Sequence, residues 1–547
     1  MSASHHLQSP FLNDDYMPQA ASDSLHVHPP NVPPTPLAGL PTPRGPIAAT
    51  VKGVVAHHTY NTFTGYCFTV NYILGVGVLG MPYAFVKGGY LLATLCLLLV
   101  TVMASLTAIW LAQTGQRAGR LERRAIRDMQ RSGQQPLESQ EGRAERFTHR
   151  RIEVNELVQI FLGRPARRVY EVLLCVYMIG ALWSYSAVFS QSMEGQLPIS
   201  AIGNNYLFYL GLFALIVVPL TCLEMTELKP LAIALAIFRF VSLTLMMLTA
   251  VLSLYHYPYV TPTNVQPSTA TSAPYYSDIK PLVWAGLATI FPVSLFSQIF
   301  HHSVPGLTHP LQDKKQTAFV FTAVLMTTFA LYAGLGICVG LYFGSGVDEV
   351  ATLNWVDYSG QRGVGKEGRS WVASVISYTI VLFPPIDIIS AFPLNAITLA
   401  NNIMSATVPP HLTTQRRYIV PFRLVAALLP LVGAAFIKSL DSILHYTGCV
   451  GVLIAFLYPT IMQWKSMKVE SLVAGGGEEE EEEEGGEPPL LVGWKKELVN
   501  GRVAMGSVFV FSVVGLVAVT YNLTYTFGAP LLFFSSHACL TPLFANK

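Results

Sequence analysis

The chain has 547 residues, 52% hydrophobic and 12% charged, with mean hydropathy +0.44 and a formal net charge of +2. Soluble domains carry about 25% charged residues, so an ordinary soluble domain is excluded. The net charge of +2 says nothing about nucleic acid, but no basic-aromatic module appears, so no nucleic-acid partner is expected.

Residues 1–55 are rich in Pro, Ser and His, with PPNVPPTPLAGLPTPRGP as the densest part. That composition cannot bury a core, and it predicts a disordered cytosolic tail. It has no basic n-region followed by an apolar h-region, so no cleaved signal peptide is expected. Apolar runs long enough to cross a bilayer as helices then follow. They stand at 63–88, 90–113, 168–193, 205–223, 229–254, 280–302, 316–342, 371–402, 417–437, 441–463 and 503–525, which makes eleven. The chain therefore reads as an all-α polytopic membrane protein, because lipid cannot satisfy an open backbone.

Span one contains NYILGVGVLGMPYAF, with Gly75, Gly77, Gly80 and Pro82 within eight residues. Glycine lowers the cost of leaving helical geometry, and proline removes a donor. Two readings stand: a break that lines a cavity, or close helix packing through small residues. Span six, KPLVWAGLATIFPVSLFSQIFHHSVPGL, shifts the balance. Pro292 follows Gly286 mid-span, so interruptions fall five helices apart, in corresponding positions of two halves. That pattern points to an inverted-repeat carrier with its substrate between two discontinuous helices. Half-helix N-termini would hold a carboxylate, and freed carbonyls an ammonium or a small cation. An amino acid supplies both charges.

Between spans two and three, residues 116–151 form an Arg-rich cytosolic loop with ten arginines from Arg117 to Arg151. Part of it reads as a surface helix, and anionic lipid is an alternative role to topology alone. Lys314, Lys315, Arg416, Arg417, Lys465 and Lys468 share its side, which puts the N-terminus in the cytosol. Residues 465–501 form an acidic cytosolic linker with seven consecutive glutamates, Glu478 to Glu484. Residues 526–547 form a non-cytosolic tail. The transporter domain is 56–525, and cytosolic regulatory or sorting partners would dock on 1–55 and 474–491.

Intramembrane charges call for a functional hypothesis. Arg239 in span five and Asp387 in span eight are expected to pair across a cytosolic vestibule as a gate, against a static salt bridge as the alternative. Charge reversal at Asp387 alone would then impair transport more than the double swap Asp387→Arg with Arg239→Asp. His301 and His302 point about 100° apart on a helix, so they are poor joint ligands for a metal. No metal site is expected, six of the seven cysteines fall in or near spans without a disulfide framework, and no nucleophile-base pair or phosphate loop suggests an enzyme.

NYILGVGVLGMPYAF resembles the first-span motif of the amino acid/auxin permease superfamily, an Asn followed by a G-x-G-x-L-x-x-P/S-Y-A pattern. HHSVPGLTHPLQDKK (301–315), ATLNW (351–355) and FPPIDIISAFPLNAITLANN (383–402) resemble its transmembrane protein 104 branch. The resemblance implies a LeuT-like five-plus-five inverted repeat with an eleventh helix, spans one and six broken, and secondary active amino acid transport. It places Asn71 and Ser377 where sodium-coupled members hold Na+ through an amide and a hydroxyl; proton-coupled members also exist. The bland readings are that Asn71 bonds carbonyls freed by the break, and Ser377 its own i−4 carbonyl. Substrate contacts are expected from backbone at Val76, Gly77, Val78, Leu79 and Gly80, with side-chain selection by Tyr177, Phe291 and Ser294 favouring neutral amino acids. The resemblance also supports a gate role for His301. No cofactor is implied beyond the coupling ion, Na+ or H+. An amino acid sensor signalling through the cytosolic tail is the alternative function. The location leans to a vacuolar or lysosomal membrane over the plasma membrane.

Overall fold

The computed structural model describes residues 59–131, 152–222, 229–256, 280–359, 370–408, 415–474 and 499–527. The tail 1–55, most of the Arg-rich loop, the glutamate run and most of 526–547 lie outside the described residues. Helical segments occupy all eleven expected positions. Span one comprises Thr62–Ile73 and Gly77–Gly88, span two Tyr90–Arg131, span three Arg164–Gln196, span four Asn205–Cys222 and span five Lys229–His256. Span six begins with Leu287–Gln298 and resumes as Val304–Thr308. Span seven is Thr317–Phe343, span eight Trp371–Thr407 and span nine Arg416–Phe436. Span ten runs from Leu440–Val452 through a π turn at Leu453–Leu457 into Tyr458–Ala474, and span eleven is Arg502–Phe527. Eight helices among the described residues are long and apolar enough to cross a membrane, nine with the bent pair of span one. The sixth and eleventh fall short of that test: one is broken, and the other has its side chains described over Arg502–Ala518.

The packing has an internal two-fold pattern. Spans three and four pack together, and so do spans eight and nine. Span five touches spans seven and eight, as span ten touches spans two and three. Span four meets span eight as span nine meets span three. Exchanging each of the first five spans for the one five later leaves this set unchanged. Five crossings reverse direction, so the repeat is inverted. This is the LeuT-like five-plus-five arrangement with an added eleventh helix.

The break in span one falls on Gly75, one of the glycines that suggested it, but neither proline sits at a break. Pro82 and Pro292 lie inside helices. Span one breaks at Leu74–Val76, with a 62° bend between its halves. Span six breaks at Ile299–Phe300, where Ile299 is extended. One proline costs a helix a single hydrogen bond, which packing can absorb. Pro292 instead packs against span ten, where a side chain at Gly448 would meet its ring and carbonyl.

Span two continues as helix to Arg131, so the start of the Arg-rich loop is helical. A separate short helix, Val154–Leu162, follows the loop and is closed by a capping box of Glu153 and Glu156. Nearby, Arg117 donates through Nε to Glu470 at 2.7 Å and through Nη1 to Gln463 at 2.8 Å, joining spans two and ten. Gln463 donates in turn to Gln113 at 2.9 Å and to Asn500 at 3.0 Å, which brings in the start of span eleven.

Candidate functional site

The break in span one begins with a competition for hydrogen bonds. The Gly75 N–H turns to the Ile73 carbonyl at 2.8 Å rather than to Asn71 four residues back. The Asn71 carbonyl therefore leaves the helical ladder. A buried carbonyl must find another donor, and Arg239 of span five supplies it. Its Nη1 donates to the Asn71 carbonyl at 3.0 Å, to the Asn71 side-chain oxygen at 3.1 Å and to the Leu74 carbonyl. Its Nη2 donates to both Asp387 oxygens at 2.6 Å. The two side chains are 9% and 14% exposed, so the pair is largely withdrawn from solvent. Nε of Arg239 is buried with no hydrogen-bond partner among the described residues. The expected pairing of Arg239 with Asp387 is thus present, with three span-one oxygens on the same guanidinium.

The two breaks touch. A side chain on Gly77 would run into Ser297, and the phenolic hydroxyl of Tyr332 in span seven lies 3.3 Å from the carbonyls of both Ile73 and Ser297. Gln298 ties the end of the first half of span six to span two through Thr101 at 3.0 Å and to span seven through Thr328 at 3.0 Å.

A cavity of about 600 Å³ adjoins this junction. Its wall includes Asn71, Gly75, Val76 and Gly77 of span one, Tyr177 and Tyr185 of span three, and Asp387 to Thr398 of span eight. It continues past His302 to Leu307 and Tyr60. All of that lower wall lies on the side of the breaks that carries Thr62, the start of span one. On the other side of the breaks the described helices pack closely. There Gly286 lies against the Lys87–Gly88 backbone, Gly336 against Phe85, and Gly80 against Leu444.

Of the substrate-contact residues expected from sequence, Val76, Gly77 and Tyr177 line the cavity. Val78, Leu79 and Gly80 are buried in the second half of span one, above it. Phe291 packs edge-on against Phe511 of span eleven, with ring centroids 5.7 Å apart, and Ser294 is fully buried away from the cavity. Both move off the wall because span six breaks several residues after Pro292. Asn71 and Ser377 are not brought together. The Ser377 hydroxyl is buried beside the Val356 carbonyl at 3.4 Å, in the loop after span seven, rather than on its own helix. His301 turns away from the cavity and bonds Thr107 of span two at 2.8 Å, while its neighbour His302 faces the cavity beside Tyr72 and Tyr177. Glu171 pairs with Arg167 at 2.6 Å near the start of span three. Tyr332, Tyr185 and His302 are site residues that sequence reasoning passed over. For His302 the signal was present in the adjacent histidines, which cannot face the same way.

Comparison with known proteins adds the family. The family described as transmembrane amino acid transporter protein matches residues 58–476. A transmembrane protein 104 homolog of Dictyostelium discoideum is 26% identical over 464 residues, covering 75% of this chain and 89% of the relative. Human transmembrane protein 104 is 22% identical over 488 residues, covering 76% and 89%. Among solved structures, MhsT in complex with L-phenylalanine is 11% identical with a TM-score of 0.47, covering 84% of this chain and 98% of that one.

Proposed function

Because the chain belongs to the transmembrane amino acid transporter protein family, we propose that it is a secondary active carrier. It moves neutral amino acids by alternating access, driven by a Na+ or H+ gradient. The observation that carries this reading is the one-sided cavity at the junction of two broken helices. A cavity of this size accommodates a small ligand. Val76 and Gly77 line it where the helix is broken, a backbone suited to the groups common to all amino acids, and Tyr177 lines it with an aromatic residue suited to an uncharged side chain.

Tyr60, at the start of span one, bridges to Leu311 a few residues before Lys314 and Lys315, and such basic residues favour the cytosol for that side. The cavity then faces inward, in the state that releases or accepts substrate from the cytosol. Arg239 and Asp387 sit at its upper end as a gate whose pairing changes when the carrier turns outward. The membrane is an endomembrane of the vacuolar or lysosomal kind. The tail 1–55 and the acidic segment 474–491 carry regulation or sorting.

Purified protein in proteoliposomes, given a panel of labelled amino acids under separate Na+ and H+ gradients, tests the reading. Concentrative uptake driven by one ion supports it. Absence of flux, with amino acid binding retained by folded protein, overturns it in favour of a sensor. A tag at the N-terminus, probed for protease access in intact cells, tests the orientation.

A further inference from the structure

We propose that the guanidinium of Arg239 is a tethered cation that stands where a coupling metal ion would sit in the break of span one, and that it keeps sodium out. The oxygens gathered there are the Asn71 carbonyl, the Asn71 side-chain amide, the Leu74 carbonyl and both carboxylate oxygens of Asp387. Carbonyl, amide and carboxylate oxygens are the donors that a hard metal cation takes. In this protein all five already point at one guanidinium.

The charge balance agrees. One carboxylate meets one guanidinium, so the site already holds a cation for its anion. A sodium ion on the same oxygens would sit beside a fixed like charge in a site withdrawn from water, where screening is weakest. It would also have to displace the Nη1 contacts that satisfy the carbonyls freed by the break. A metal ion leaves its site when the site opens, but Arg239 is anchored to span five and can only swing. The same oxygen set can therefore be uncovered and covered again without an ion taken from either compartment. The Asn71 amide then serves Arg239 and not Na+. The consequence for transport rests on the carrier reading: of the two coupling ions open to it, the proton is favoured. The occupancy of the site does not rest on that reading.

The test is retention of radioactive sodium by the purified full chain in lipid nanodiscs. Wild-type protein is expected to retain no saturable sodium. Arg239→Gln, neutral but still able to donate to the carbonyls, and Arg239→Ala are expected to gain saturable sodium binding. Adding Asp387→Asn to either should abolish it. Arg239→Lys keeps a point charge in place and should stay sodium-free. Saturable sodium binding to the wild type that is lost in Asn71→Ala overturns the proposal. So does a monodisperse, fully helical Arg239→Gln that retains none. Since the readout is sodium and not amino acid flux, failure of the carrier reading leaves this result unaffected, and the converse also holds.

Discussion

Gly77 lies so close to Ser297 that a methyl group on it would stand 3.1 Å from the Ser297 Cα. The broken helices of the two repeats therefore meet backbone to backbone. Gly77 is the residue that allows it, for reasons of space and not of backbone freedom. At Gly75, two residues earlier, the nearest neighbour of such a methyl is the Tyr185 hydroxyl at 3.7 Å, an ordinary contact. Gly77→Ala should lower stability by about 1–3 kcal/mol through overpacking and reduce uptake about tenfold. Gly75→Ala should leave both nearly unchanged. Thermal unfolding in detergent, followed by flux in liposomes, checks the pair. Equal damage from both would show that the junction needs glycine flexibility instead.

Removing the charge of Asp387 leaves a buried guanidinium unpaired, which costs on the order of 3–5 kcal/mol. Asp387→Asn should be strongly destabilised and inactive. The double swap Asp387→Arg with Arg239→Asp should not restore function, contrary to what a simple gate pair predicts. The swap places a carboxylate against the carbonyls of Asn71 and Leu74, which accept and cannot donate. Uptake and melting temperature of the single and double variants decide the matter. A double variant more active than either single one would show that the carbonyl contacts are unimportant.

The two histidines should separate cleanly. His301 is fully buried against span two beside Thr107, and His301→Ala should cost about 2–4 kcal/mol through the cavity left by its ring, since the Thr107 hydroxyl keeps the Met103 carbonyl at 3.0 Å. His302 faces the cavity beside Tyr177. His302→Ala should change substrate affinity several-fold with little effect on melting. Melting curves and substrate competition on the same samples test both, and loss of stability at His302 alone would reverse the assignment.

At the far end of spans two and ten, Arg117 is 7% exposed and Glu470 42% exposed. Truncating the two should therefore have unequal costs. Glu470→Ala leaves Arg117 still bonded to Gln463 at 2.8 Å and Ser466 at 3.2 Å, and should cost about 1 kcal/mol or less, in the range of an exposed ion pair. Arg117→Ala strips a donor from several buried oxygens and should cost about 2–3 kcal/mol. Denaturation midpoints of the two variants measure the difference, and equal midpoints would refute it.

Much of this was legible in the sequence, and what was not has a physical cause. Spans declare themselves by length and apolarity. Arg239 and Asp387 declare themselves as charges where charge is expensive, and their partnership follows because each is the other's cheapest solution. The break in span one was signalled by its glycines, yet the nearby proline drew attention several residues too far along. The break in span six occurs at Ile299–Phe300, which are ordinary helix residues, so no local composition marks it. The residues chosen from Pro292 shifted off the wall with it, as Phe291 and Ser294 did. Of the three span-one oxygens on Arg239, the Asn71 amide belongs to a residue the sequence singled out, and the other two were invisible because they are backbone. Every residue has a carbonyl, and only the fold determines which ones a break releases. Tyr332 was invisible for a related reason: one tyrosine in an apolar run carries no sign of what its hydroxyl reaches.

That hydroxyl has a consequence of its own. Tyr332 owns a single hydrogen, and two acceptors lie equally far from it, one in each half of the molecule. It can serve only one at a time. If the halves move apart, the bond need not be broken and later remade against water. It can be handed from one side to the other, so that some carbonyl always keeps it. Relative motion at this point becomes a transfer of custody rather than a rupture. The transfer requires a rotation of one O–H bond, among the smallest movements a protein can make.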